Sequence, residues 1–384
     1  MDSLLVYNSC ADPYGTHLLS CKQIQSVCTQ LGIQSVIYDC SSNIGLENIK
    51  HALNSGNIKF IHAEQTHFIE TAQKLDLLED LQQTPIIIQC RDPWFQPWIY
   101  NNLKRLHSNS VVFHMEKTSI LNLQFLRSNH TLGYNSAHTI SPKFKPFKPL
   151  TGLNKLITFV GSAQDPKRIM RELTNMRPHL KDIAEHYCNL DKNQLQIPTS
   201  FWNPSWKFGS TNLLGKNINL EDYSLLFKLA RFKVRSNFLN ICNRFHVALC
   251  ISGDWVPESS GNAKIIYSRT DLHTTHQIMS NSKYVLSDQA GLDFAVGDRV
   301  STCIYSGFPL ICRSNNDILV QVASSNPNCL LYNTHRELEE ILAICSEKTF
   351  LSKKVDDIAK IFIPKVFLPE TYIISALNFI GIKS

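Results

Sequence analysis

The sequence predicts an α/β protein made of two Rossmann-like, doubly wound domains. Three observations carry that expectation. Short apolar strands alternate with helix-period segments through the first half. The alternation stops at a Pro- and Lys-rich stretch and then restarts. Residues 282–311 spell out a strand, a glycine-containing loop, a helix and a second strand.

In the first half the strand-like runs are Leu4–Tyr7, Ser35–Tyr38, Lys59–Ala63, Pro85–Cys90 and Val111–Met115. Between them lie helical repeats such as Ile24, Val27, Cys28 and Leu31, closed by Gly32. Strands alternating with helices predict a parallel sheet covered on both faces, and right-handed crossovers make it doubly wound. Ser141–Pro149 then holds three prolines and, with Lys155 just beyond, a run of lysines. It predicts a linker over 141–154, dividing a first domain (1–140) from a second (155–368). The second opens with strand Leu156–Val160, a Gly161-Ser162 turn and a helix around Pro166–Leu173. The stretch 175–220, with Trp202 and Trp206, is less regular. A long helix over about 220–245 follows, then strands Val247–Ser252 and Lys264–Tyr267, and a final helix near Glu370–Phe379.

A chain of 384 residues is long enough for two domains with separate cores. Hydrophobic content of 43% suits a folded globular chain. The net charge of +6 and pI of 8.6 are compatible with anionic ligands or a peripheral membrane contact. They are too weak to argue for nucleic acid. The twelve cysteines lie no closer than seven residues apart, without a Cys-x-x-Cys pair, and several sit in apolar runs. That pattern reads as reduced thiols in a cytoplasmic protein rather than a metal or disulfide framework. No signal-peptide pattern opens the sequence, and no apolar run approaches the length a bilayer needs.

The segment 282–311 carries the chemistry. A helix opening at Asp298-Arg299 and ended by Gly307 aims its first amides into the preceding loop, which holds Gly291 and Gly297. An Arg at a helix N-terminus is disfavoured by the helix dipole, so Arg299 reads as a ligand for a diphosphate. Asp298 reads first as the helix cap. Gly161 and Ser162 offer backbone amides at a tight turn, and Arg168 follows within the next helix. Tyr267 and Asp254, near the ends of inner strands, are weaker candidates for a nucleobase pocket.

These residues resemble the donor-binding half of GT-B glycosyltransferases, most closely the spore-maturation-protein-type and exostosin-type groups. The matching pieces are Tyr284-Val-Leu-Ser287, Gly291, Arg299-Val300 and Ile304-Tyr-Ser-Gly-Phe-Pro-Leu-Ile311. Thr158-Phe-Val-Gly-Ser162 with Arg168, Ile251-Ser-Gly-Asp-Trp255 and Leu132-Gly-Tyr-Asn135 extend the likeness. The one departure is Thr302, where those families carry a Glu that binds the donor ribose. The resemblance implies a GT-B architecture: two Rossmann-like domains facing across a cleft, the donor on the second, with residues 369–384 returning to the first.

It also implies a glycosyltransferase that needs no metal or other cofactor and takes a nucleotide-diphosphate sugar as co-substrate. The acceptor would be a hydroxyl of a glycan, lipid-linked or protein partner. Arg299 and Arg168 would hold the diphosphate, with Gly161, Ser162, Asp298, Thr302 and Tyr267 around the donor. An inverting reaction needs a base for the acceptor proton. His17 in the first strand-to-helix loop and Asp92 in Cys90-Arg-Asp-Pro-Trp94 are the candidates. His62 and Glu64, at the end of the third strand, read equally well as structural. Two rivals stand beside this reading: a catalytically silent nucleotide- or glycan-binding protein, suggested by Thr302, and a sugar-nucleotide epimerase on the same scaffold.

Overall fold

The computed structural model describes residues 2–12, 15–77, 80–92, 94–114, 131–134, 156–201, 204, 206–207, 210–289, 296–314, 317–346 and 369–382. The expected linker 141–154, together with Gly291, Trp202 and Asn135, lies outside them. The chain forms two compact units. The first comprises Met1–Ser141, Ser205–Gly209 and Lys365–Ser384, and the second Pro142–Pro204 and Ser210–Pro364.

In the first unit, six parallel strands are ordered β2-β1-β3-β4-β5-β6. They are β1 (Ser3–Tyr7), β2 (Ser35–Asp39), β3 (Phe60–Glu64), β4 (Ile86–Cys90), β5 (Val111–His114) and β6 (Thr131–Tyr134). β3 and β4 are buried throughout, because helices cover both faces of a parallel sheet. Helices α1 (Thr16–Gln30), α2 (Asn43–Asn54), α3 (His67–Lys74) and α4 (Pro97–Leu103) supply the crossovers. α1 buries Ile24, Val27 and Cys28, the stripe that its apolar spacing marks.

The last helix of the chain, Pro369–Phe379, packs in this same core. Its Tyr372, Ile373, Ala376 and Leu377 lie with Leu5, Ile24, Ile87 and Phe113. The Tyr372 hydroxyl meets His62 Nε2 at 2.9 Å beneath the sheet. Burial and the Arg91 charge push the His62 imidazole down to about 3, so the ring is neutral and serves as a latch for this helix.

The second unit has its own six-stranded parallel sheet, ordered β12-β11-β7-β13-β14-β15. The strands are β7 (Ile157–Ser162), β11 (Val247–Ser252), β12 (Lys264–Tyr267), β13 (Tyr284–Ser287), β14 (Leu310–Arg313) and β15 (Cys329–Tyr332). Counted within the unit, this is the dinucleotide-binding order 3-2-1-4-5-6. Helices α5 (Pro166–Met176), α6 (Lys181–Cys188), α7 (Leu220–Asn243), α8 (Leu272–Ser280), α9 (Asp298–Ser306), α10 (Asp317–Ser325) and α11 (His335–Ser346) surround it, so the helix in the first-unit core is α12. Gly307 ends α9 at φ 69°, where a side chain is costly. Gly253, at φ 134°, passes so close to the Ala163 carbonyl that any Cβ would collide with it. That contact joins the loops after β7 and β11.

The stretch 175–220 is more regular than its sequence suggests. It holds α6 and a hairpin of β9 (Ser210–Leu213) and β10 (Lys216–Asn219). Their polar Ser, Asn and Lys residues hide the alternation, while Leu214 and Gly215 turn with φ 51° and 81°. The short strand β8 (Trp206–Lys207) belongs to the first unit, where Trp206 meets Trp94 edge to face. Among the described residues, no helix is long and apolar enough to cross a membrane.

Candidate functional site

In an open α/β sheet, ligands gather at the carboxyl ends of strands where the winding direction reverses. In the second unit that switch point lies between β7 and β13. β7 ends in Gly161-Ser162, and Asp288 directly follows β13.

Asp288 is buried and gripped by Arg235 from the middle of α7. Arg235 Nε donates to Oδ2 at 2.6 Å and Nη2 to Oδ1 at 3.1 Å. The third guanidinium nitrogen, Nη1, donates to the Ser162 carbonyl at 2.8 Å, so one side chain fastens both edges of the switch point. Burial alone would raise the Asp288 carboxyl. The charges of Arg235, Arg299 and Arg231, with the Arg235 hydrogen bonds, outweigh it and hold the group below its ordinary value. One guanidinium thus holds the carboxylate directly, and two more act on it through their charge.

Arg299 belongs to the first turn of α9, and its Nη1 would lie 3.4 Å from a Cβ added at Gly161. The same Cβ would lie 2.7 Å from Phe159 Cζ, so the site needs glycine at 161 for want of room rather than for backbone freedom. Gln289 adopts φ 48° and accepts a hydrogen bond from the Gly297 amide at 3.0 Å, tying the end of β13 to the start of α9. A left-handed non-glycine residue at a strand end of this kind is a common mark of functional sites.

Of the residues singled out by sequence, Gly161, Ser162 and Arg299 come together here. Asp298 opens α9, though its side chain lies outside the described residues. Thr302 is buried one turn along the same helix. Arg168 does not join the group: it pairs with Asp254, whose other oxygen accepts from the Asp165 amide, and with Glu172 at 2.9 Å. Tyr267 is exposed, its hydroxyl donating to the Trp255 carbonyl at 2.9 Å. Sequence reasoning missed Arg231, Arg235 and Asp288. The available signal was two arginines spaced four apart on a helix whose stripe otherwise reads Phe227, Ala230, Val234 and Phe238.

The first unit has a corresponding cluster where β1 and β3 diverge. Asp12 caps α1 by accepting from the amides of Thr16 at 2.8 Å and His17 at 2.6 Å. Glu64, at the end of β3, is fully buried, bonded by Ser20 Oγ at 2.6 Å and paired with Arg91 at 2.7 Å. Desolvation raises the Glu64 carboxyl despite the opposing Arg91 charge. Gln65, at φ 65°, donates to Asp92 Oδ2 at 2.9 Å.

His17 is buried beside this network. Desolvation first, then Arg91 and His67, push its imidazole down to about 4, while Asp12 works against them. The ring is therefore neutral near pH 7. His67, whose own shift feels Asp92, links His17 and Asp92 into one electrostatic neighbourhood. Cys21, His62 and Glu64 present ligand-type atoms within 4.8 Å of one another. Arg91 already holds the carboxylate and Tyr372 the imidazole, and burial raises the thiol, so this trio reads as core packing.

No protein-family model matches the sequence, and no curated protein matches it. Among solved structures, the fold is similar to that of the DNA-modifying enzyme β-glucosyltransferase, determined with and without its substrate uridine diphosphoglucose. The TM-score is 0.53 with 10% sequence identity, over 98% of this chain and 100% of that one. Two doubly wound parallel units together with this likeness give the protein the GT-B glycosyltransferase fold.

Proposed function

We propose that the chain is a glycosyltransferase that moves a sugar from a nucleotide-diphosphate donor to an acceptor hydroxyl, with the second unit holding the donor. One observation carries the reading: buried Asp288 at the switch point is gripped by Arg235 and also feels the charges of Arg299 and Arg231. These charges stand beside a turn where glycine at 161 leaves the Arg299 guanidinium close to the backbone. The residue pattern over 284–311, resembling spore-maturation-type and exostosin-type transferases, supports the same reading, as does the uridine diphosphoglucose bound by the structural neighbour.

In this mechanism charge builds on the departing diphosphate as the bond to the sugar breaks. Arg299 and the first amides of α9 stabilise it, while Arg235, fixed by Asp288 and the Ser162 carbonyl, keeps the turn rigid. Preorganised donors of this kind cost no reorganisation at the moment of reaction. The leaving-group charge is thus carried by protein groups. Inversion then needs a base, and neutral His17 takes the acceptor proton, the Asp12 charge favouring the imidazolium against burial and Arg91. Asp92 is the alternative base. The acceptor is a glycan, a lipid-linked or a protein hydroxyl. A net charge of +6 spread over 384 residues gives no support to DNA as acceptor.

A second reading is a nucleotide or glycan binder without turnover, favoured by Thr302 standing buried where a ribose-binding Glu is expected. Release of nucleoside diphosphate from a panel of UDP-, GDP-, dTDP- and ADP-sugars separates the two. The transferase reading expects turnover of one donor, reduced about 100- to 1000-fold by Arg299→Ala. A binder retains the nucleotide and releases nothing, and an epimerase returns an isomer of the donor without acceptor.

A further inference from the structure

The first unit carries a second feature that neither switch point uses. α3 and α4 follow β3 and β4, so their N-termini sit at the carboxyl edge of the sheet, near His17 and Asp92. Between the two helices runs an open groove of about 570 Å³, lined by Glu70, Gln73 and Lys74 from α3 and by Trp98, Asn101 and Arg105 from the α4 side. Trp98, one of its lining residues, stacks on His67, whose imidazole feels the Asp92 charge.

Its chemistry is specific. The Trp98 indole is fixed from two directions, stacked on His67 with centroids 4.3 Å apart and donating from Nε1 to Gln96 Oε1 at 2.8 Å. The remainder of the ring forms part of the groove wall. The turn beneath is equally rigid: buried Asn102 donates its amide to the Thr66 carbonyl at 3.1 Å, which clamps the start of α3 to α4. A flat, immobilised aromatic surface beside amide side chains suits a pyranose, which has an apolar C–H face and a rim of hydroxyls that both donate and accept.

The charge is nearly balanced. Glu70 and Lys74 neutralise each other at 2.9 Å, leaving Arg105, whose Nη1 donates to Asn102 Oδ1 at 3.4 Å. A surface that follows a phosphate backbone would gather cations instead.

We infer that the groove between α3 and α4 is an acceptor subsite for a neutral oligosaccharide, with Trp98 as the platform for one sugar ring and Gln73, Asn101 and Arg105 as its hydroxyl partners. Its role as an acceptor subsite rests on the transferase reading. Binding of the oligosaccharide does not, and can be measured separately.

The test is calorimetric titration of the full chain with neutral hexasaccharides of glucose, N-acetylglucosamine, mannose and galactose, and with a single-stranded oligodeoxynucleotide. Trp98→Ala and Asn101→Arg are measured in parallel. Asn101 is exposed, so the second variant crowds the groove without touching the core and carries the test if Trp98→Ala fails to fold. The expected result is binding of one hexasaccharide, weakened about tenfold or more by each substitution. Nucleoside-diphosphate binding in the same preparations should be unchanged. The inference is overturned if no hexasaccharide of the panel binds, if binding survives Asn101→Arg, or if the oligodeoxynucleotide binds through Trp98 instead. Loss of nucleotide binding with hexasaccharide binding intact would count against the donor reading alone.

Discussion

Arg235 and Asp288 are 53 residues apart in sequence and form a buried charge pair at the second unit's switch point. Both are almost fully buried, so removing one partner leaves the other charge in a poor solvent. Arg235→Met should therefore cost about 3–5 kcal/mol in urea denaturation, and adding Asp288→Leu in the same chain should recover most of it. Gly161→Val tests the neighbouring contact. Its side chain must displace Phe159 and crowd Arg299, so nucleotide affinity should fall, measured by titration, while far-ultraviolet circular dichroism keeps its α/β signature. Arg299 and Gly161 were legible in the sequence because each breaks a local rule, one the helix dipole and the other the need for side chains in a strand. Arg235 was not, because helical periodicity marks which face is buried without saying that part of that face meets a crevice.

At the scale of elements, strands buried on both faces declared themselves as apolar runs, and α9 was framed by glycine at each end. The β9–β10 hairpin and α6 were hidden, the first by polar residues on short strands, the second by its eight-residue length. Gly307→Ala should destabilise the second unit by roughly 1 kcal/mol, read as a lower urea midpoint, because alanine resists the left-handed backbone that ends α9. The α12 latch gives a pH-dependent prediction. His62 has an ordinary value of 6.5 and a folded value of about 3, so below pH 6.5 the unfolded chain takes a proton that the folded chain refuses. Stability is then lost as pH falls from 6.5 towards 3. Replacing His62 with Gln keeps a partner for Tyr372 and removes the titration. Between pH 7 and pH 5 the wild-type protein should lose about 2 kcal/mol more than His62→Gln, by denaturant titration at each pH. His17 acts in the same direction, and Glu64, with its raised carboxyl, in the opposite one; both are common to the two proteins and cancel in the comparison.

At the scale of the molecule, the two sheets are wound differently, 2-1-3-4-5-6 in the first unit and 3-2-1-4-5-6 in the second, yet they solve the same problem alike. Each places a buried carboxylate at its switch point, pairs it with an arginine, and follows it with a glutamine in left-handed backbone: Glu64, Arg91 and Gln65 in one, Asp288, Arg235 and Gln289 in the other. The difference lies in what surrounds the pair. In the first unit the neighbours are His17, His67 and Asp92, which the proposed reaction uses for a proton; in the second they are Arg231 and Arg299, which it uses for an anion. That division of labour is the central claim, and calorimetric titration with UDP, GDP, CMP, dTDP and ADP tests it most directly. The account predicts that one nucleotide binds the wild-type chain and that Arg299→Ala abolishes the binding while the fold survives. Binding by none of the five, or equal binding by the variant, would contradict it.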